Sequence, residues 1–238
     1  MRIGPARRKI GILGGMGPEA TILLMQRVLR AVPAGDDSDH IPLLVDQNPQ
    51  IPSRIARLIE GQGDDPAPVL TGMAQALEAA GAEAIGMPCN TAHYYAPAIA
   101  GAVRVPFINM VDLAVQRAAR QVGVKRTVGI LGSPALRKIG LYDRALAAAG
   151  LTPLYPADEE GLLAAIRIIK SQGVTPQAAA ILRAMSDDLA TQGAEVQLIA
   201  CTEFSLLRDS FTDRAEVFDT LDCLVAEIVR LSTDADQG

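Results

Sequence analysis

Tryptophan is absent from the 238 residues, and all aromatic residues together make up only 3%. A basic excess is missing as well: 22 Lys and Arg stand against 27 Asp and Glu, a formal net charge of −5. A nucleic-acid surface needs basic stripes and stacking platforms, so that class of partner is set aside. No apolar run reaches membrane-spanning length, which argues against a membrane protein. The opening Met1 to Lys9 carries charge without an apolar core and is not read as a signal peptide. Only two histidines occur, His40 and His93, neither in a metal-ligand pattern. Three cysteines, Cys89, Cys201 and Cys223, are an odd number without metal-type clustering, which fits a reducing cytoplasm better than a disulfide framework. What is there, 49% hydrophobic and 21% charged residues, is ordinary for a globular protein.

The chain begins with a short apolar strand, Lys9 to Leu13, which Gly14-Gly15-Met16-Gly17-Pro18 turns into a helix. Ile41 to Val45 reads as the next strand. Two prolines, Pro49 and Pro52, then forbid regular structure until a helix opens at Ser53. A helix over about 68–80 leads to the strand that ends at Cys89, followed by a brief strand over 105–109 and a helix over 111–122. At Arg126 the pattern restarts, because Thr-Val-Gly-Ile-Leu-Gly-Ser-Pro repeats the strand, turn and helix start of the N-terminal stretch. The spans from Gly11 to Cys89 and from Gly129 to Cys201 are nearly equal in length. The expectation is therefore α/β: two similar domains, each a parallel sheet flanked by helices, with ligands bound outside the carboxyl ends of the strands. The first domain is expected over 1–112 plus 211–238, the second over 113–210. An amphipathic helix over 216–231 is expected to return and cover the first half.

Two stretches echo each other most closely. Gly81-Ala82-Glu83 and Gly193-Ala194-Glu195 each open a strand-length apolar run that ends in a cysteine, Cys89-Asn90-Thr91 in one and Cys201-Thr202-Glu203 in the other. Taken singly, each cysteine is a packing residue, since unpaired cysteine is among the most buried residue types. Matched corners of a duplicated unit are a different matter. There the amides and dipole of a following helix favour the thiolate, which makes these two thiols candidates for chemistry. Cys223, inside the periodic terminal helix, reads as packing. Asn90, Thr91 and Thr202 read as helix caps whose amides and side chains also suit a carboxylate. Arg54 opposes the dipole of its helix, a position that suits an arginine gripping an anion. Lys170 sits in the last turn of a helix before Gly173, where a lysine is ordinary. Gly15-Met16-Gly17-Pro18-Glu19-Ala20 is a weak match to a dinucleotide-binding turn, and the nearest acid, Asp46, comes too late for that pattern. His93 reads as a packing or supporting residue.

These residues carry a resemblance. The segments Ile12-Leu-Gly-Gly-Met-Gly-Pro18, His40-Ile-Pro42, Asn48-Pro-Gln-Ile-Pro-Ser-Arg54, Pro88-Cys-Asn-Thr-Ala-His93, Ile130-Leu-Gly132, Lys170 and Cys201-Thr-Glu203 resemble, in order, the aspartate/glutamate racemase family of cofactor-independent enzymes. The resemblance implies two α/β domains with the active site in the cleft between them, usually a homodimer, and no cofactor. It implies Cys89 and Cys201 as the two acid/base residues. Asn90, Thr91 and Thr202 would hold the α-carboxylate of an amino-acid substrate, and Met16 would line the site by its backbone. Arg54 and Lys170 match positions that contact the distal carboxylate, which favours an acidic substrate, aspartate ahead of glutamate. Where many members carry threonine after the second Ile-Leu-Gly, this chain has Ser133-Pro134.

The implied chemistry is a two-thiol inversion. One cysteine removes the α-proton from one face while the other delivers a proton to the opposite face, and amides at the corners stabilise the enolate-like carboxylate. A cis-trans isomerase or decarboxylase of a dicarboxylic acid, as in related members of the superfamily, is the neighbouring alternative. A catalytically silent amino-acid or nucleotide binding module is the alternative from another class.

Overall fold

The computed structural model describes residues 7–211 and 214–234. The first six residues of the charged opening stretch and the last four of the polar tail lie outside them. The elements are β1 (Ile10–Gly14), α1 (Pro18–Ala31), β2 (Leu43–Gln47), α2 (Ala67–Ala79), β3 (Ala84–Gly86), α3 (Ala96–Ala102), β4 (Phe107–Ile108), α4 (Met110–Gln121) and β5 (Thr127–Gly132). They continue with α5 (Pro134–Lys138), α6 (Leu141–Ala148), β6 (Thr152–Leu154), α7 (Glu159–Gln172), α8 (Pro176–Thr191), β7 (Val196–Ala200), β8 (Glu216–Asp219) and α9 (Thr220–Thr233).

Two four-stranded sheets result, in the orders β2-β1-β3-β4 and β6-β5-β7-β8, with every pairing parallel. The same order in both sheets is the structural form of the internal repeat. All five residues of β1 and of β7 are buried, as strands of parallel sheets covered on both faces should be, and the one polar side chain among them, Gln197, is satisfied by Ser186 of α8. In this order strands are added first on one side of the first strand and then on the other, so the winding reverses between β1 and β3 and between β5 and β7. The carboxyl ends of β1 and β3, and of β5 and β7, flank that switch point, where open α/β sheets bind ligands.

The chain divides into two compact units, Met1–Arg57, Gly61–Met110 and Leu221–Gly238 in one, and Leu58–Glu60 with Val111–Thr220 in the other. The helix expected over 216–231 needs correction. Glu216–Asp219 instead forms β8, which pairs in parallel with β7 from Val196↔Glu216 to Ile199↔Asp219. Phe218 and Asp219 are fully buried there, Arg117 of α4 stacks 4.3 Å over the Phe218 ring, and helix α9 starts only at Thr220. The return to the first unit accordingly falls at Leu221, later than the expected 211. From there α9 covers the first sheet. Its Leu224 methyl would lie 3.2 Å from a Cβ placed on Gly86 of β3, its Ser232 hydroxyl donates to the Arg8 carbonyl at 2.9 Å, and Asp222 pairs with Arg27 of α1 at 2.9 Å.

Among the described residues no helix is long and apolar enough to cross a membrane.

Candidate active site

In the first unit the site is built at the ends of β1, β2 and β3. After β1 the chain turns at Gly15, whose φ of +95° suits glycine. A Cβ there would collide with the backbone oxygen of Asn48, so the turn lies directly on the segment that follows β2. The Gly15 N–H donates to the Thr21 hydroxyl at 3.0 Å, which ties the turn to the first turns of α1. Met16 is buried at this corner, and Gly17 caps α1 without a side chain, so the helix begins with its amides uncovered by any capping group.

Past β2, the Asn48 side chain accepts from the Gln50 N–H at 2.9 Å, and Ser53 accepts from the Ala56 N–H at 3.2 Å, starting a short turn of π-helix over Ala56–Glu60. Arg54 is the first helical residue there. Its guanidinium folds back to donate through Nη1 to the carbonyls of Pro52 at 3.0 Å and Ile51 at 3.4 Å. No carboxylate pairs with it among the described residues. A planar fork held on one side leaves its remaining donors for an external anion.

Cys89 follows β3 and is 7% exposed. Its own N–H donates to the Met87 carbonyl at 2.9 Å, and a turn of 3-10 helix, Thr91–Tyr95, starts after Asn90. Asn90 is almost fully buried but its side chain makes no capping bond, so the expected capping role is not what holds it there. Beneath the corner lies His93, fully enclosed. The Met110 N–H donates to its Nε2 at 3.0 Å, which leaves Nδ1 as the protonated nitrogen, donating to the Cys89 carbonyl at 2.8 Å. Burial pulls its pKa down to about 4, against the opposing effect of backbone hydrogen bonds at Cys89 and Ile108, so the ring is neutral at physiological pH. Tyr95, two residues on, is 6% exposed, and its hydroxyl has no hydrogen-bond partner among the described residues. Burial raises its pKa, with the Asp65 charge adding to the effect.

In the second unit the matching corners are Gly132-Ser133 after β5 and Cys201 after β7. Ser133 takes the cap of α5, accepting from the Ala135 N–H at 3.3 Å, with Pro134 at the first helical position. Cys201 is 7% exposed and Thr202 3%. The Cys201 carbonyl accepts from the Phe204 N–H at 2.9 Å, opening a 3-10 turn over Phe204–Ser210. That turn is tied down by the Ser205 hydroxyl, which donates to the buried Asp219 at the end of β8 at 2.9 Å.

The Cys201 thiol donates to Oε2 of Glu203 at 3.1 Å, and Oε1 of the same carboxylate pairs with Lys170 Nζ at 3.3 Å. This environment reverses the expectation of a thiolate-favouring corner at Cys201. Burial pushes its pKa well above the ordinary thiol value, and the Glu203 charge and hydrogen bond push the same way, while the Glu203 N–H and the Lys170 charge oppose them. The following helix is only a 3-10 turn, with little dipole to offset this. Lys170 accordingly meets Glu203, and Glu203 is a candidate residue that sequence reasoning missed. A carboxylate two positions after a corner cysteine was the available signal.

All three cysteines are buried and unbridged, Cys89 in the first unit, Cys201 in the second and Cys223 inside α9. Among the described residues no group of three or more His, Cys, Asp or Glu side chains is placed to hold a metal ion.

The family model described as Asp/Glu/Hydantoin racemase matches residues 13–228, and the chain belongs to that family. It is a racemase-type isomerase. It is similar to the broad specificity amino-acid racemase RacX of Bacillus subtilis (strain 168), 25% identical over 225 residues that make up 92% of this chain and 96% of that protein. The solved aspartate racemase of Picrophilus torridus superposes with a TM-score of 0.83 at 25% identity, covering 94% of each chain. A glutamate racemase of Bacillus anthracis, 17% identical, shares the fold with a TM-score of 0.67 over 97% of this chain and 85% of its own.

Proposed function

We propose that the protein racemises an acidic amino acid, aspartate ahead of glutamate, with Cys89 and Cys201 as its two acid/base groups and no cofactor. The observation that carries this reading is the match between the two sheets: both have the same strand order, and each has a buried thiol within three residues of the end of its third strand. Inverting a stereocentre by proton transfer needs one group to take the α-proton from one face while another supplies a proton to the opposite face. In the chemistry proposed, a thiolate forms an S–H bond to the departing proton, the C–H electron pair moves into the carboxylate, and the second thiol protonates the carbon. Thiols suit this exchange because their ordinary pKa lies close to working pH.

In this reading Asn90, Thr91 and Thr202, at the two corners, hold the α-carboxylate, and Met16 contributes its backbone beside the open start of α1. Arg54 grips the distal carboxylate. Its lack of a carboxylate partner among the described residues and its anchoring by two carbonyls support that role. The contribution of Lys170 to the distal carboxylate has less support, because Lys170 already pairs with Glu203.

The test is α-proton exchange in D2O, followed by NMR with each enantiomer of an amino-acid panel and no added cofactor. Deuterium incorporation with loss of optical purity is expected for aspartate, and more slowly for glutamate. Exchange confined to neutral amino acids would overturn the acidic-substrate reading. No exchange in any amino acid would overturn the proposed reaction.

A homodimer in the cytoplasm completes the proposal. Ile22, Met25 and Leu29 are 49%, 42% and 54% exposed on one stripe of α1, beside an apolar pocket of about 450 Å³ that His40, Ile41 and Leu43 also line. An uncharged stripe of this kind can meet its own copy about a two-fold axis. The three unbridged thiols fit a reducing compartment, which cell fractionation would check.

A further inference from the structure

Glu203 stands out because the reaction proposed above does not require it, and yet it touches a reacting atom. Its carboxylate has two distinct neighbours, the Cys201 thiol on Oε2 at 3.1 Å and the Lys170 ammonium on Oε1 at 3.3 Å. The Glu203 side chain is 14% exposed and that of Lys170 49%, so the contact to sulfur is the sheltered end of the array. Cys201 also shares an apolar core cluster with Leu131 of β5, Ile166 and Ile169 of α7, Leu182 of α8 and Phe204. Glu203 and Lys170 are the charged side chains that act on the thiol.

We propose that Glu203 holds the proton on Cys201, and so presents Cys201 as an acid in the substrate-free enzyme, with Lys170 fixing the carboxylate through its other oxygen. The catalytic meaning of this assignment rests on the two-thiol reading. The physical reason is direct. A carboxylate 3.1 Å from sulfur accepts a hydrogen bond from the neutral thiol and repels the thiolate. Lys170 orients that carboxylate and offsets part of its charge, which keeps the barrier to using Cys201 as a base finite.

The experiment is a pH titration of 13C-labelled cysteine by NMR in the full-length protein, reading the Cβ shift of Cys201, assigned by its loss in Cys201→Ser. Glu203→Gln keeps the shape and removes the charge, and is expected to lower the Cys201 midpoint by at least about one pH unit, a tenfold change in thiolate at a fixed pH below it. Glu203→Asp keeps the charge and is expected to stay near the wild type. An unmoved midpoint in Glu203→Gln, or equal shifts in both variants, would overturn the assignment. The α-proton exchange assay is run on the same samples. A shifted midpoint without exchange in the wild type leaves the Glu203 assignment standing and removes its catalytic meaning. Exchange together with an unmoved midpoint does the reverse.

Discussion

The imidazole of His93 lies 2.8 Å through Nδ1 from the carbonyl oxygen of Cys89, and its other nitrogen receives the Met110 N–H at 3.0 Å. One buried ring thus joins the cysteine corner to the start of α4. Replacing it by alanine leaves a buried donor and a buried acceptor without partners, each costing about 1–3 kcal/mol. His93→Ala is therefore expected to lower the urea midpoint clearly.

The same ring gives a pH signature. Its folded pKa of about 4 lies below the ordinary 6.5, so between these values the unfolded chain binds the extra proton and stability falls as pH falls. Each pH unit of that window is worth about 1.36 kcal/mol, or about 3 kcal/mol over the whole of it. Urea unfolding at several pH values between 4 and 7.5 should show a smaller pH dependence for His93→Gln than for the wild type, by about this amount. Equal slopes would mean that the folded ring takes up its proton as readily as it does in the unfolded chain.

For the cysteines, Cys89→Ala and Cys201→Ala are each expected to reduce racemisation by at least about a hundredfold, the low end of what a positioned acid or base contributes. Cys223→Ala, inside α9, should keep near wild-type turnover. Full activity in either corner variant would remove that cysteine from the mechanism.

Arg54→Ala is expected to raise KM for acidic amino acids roughly 10- to 100-fold, the loss of one charge-assisted interaction of about 1.5–3 kcal/mol. Lysine should restore little, because it cannot both occupy the Pro52 and Ile51 carbonyls and present a second donor edge. An unchanged KM in Arg54→Ala would place the distal carboxylate elsewhere.

Two glycines make a matched stability test. Gly15→Ala forces a Cβ into a left-handed residue and against the Asn48 backbone, and should cost at least about 2 kcal/mol. Gly72→Ala, in α2 with open space around it, should gain about 0.5–1 kcal/mol. Denaturant midpoints moving in opposite directions would bear this out; a neutral Gly15→Ala would mean the turn shifts freely.

Much of the architecture was legible because it is written in local pattern. Apolar runs of strand length bounded by glycine turns marked β1, β3, β5 and β7. The recurrence of Gly-Ala-Glu before two cysteine corners exposed the repeat, and the two sheets share one strand order as a result. Glu216–Asp219 was read as helix because Phe218, Leu221, Leu224 and Val225 recur at helical spacing. The edge of β7 needed a partner strand, and tertiary pairing overrode that local period.

The sequence by itself determined the succession of strands in the first half, the duplication and which two thiols stand at matched corners, because all three depend on spacing along the chain. Only the tertiary structure decided what each thiol experiences. Proton affinity depends on burial and on charges within a few ångströms. The neighbours that set it for Cys201, Glu203 on a folded-back side chain and Lys170 more than thirty positions earlier, meet only once α7 packs beside the end of β7.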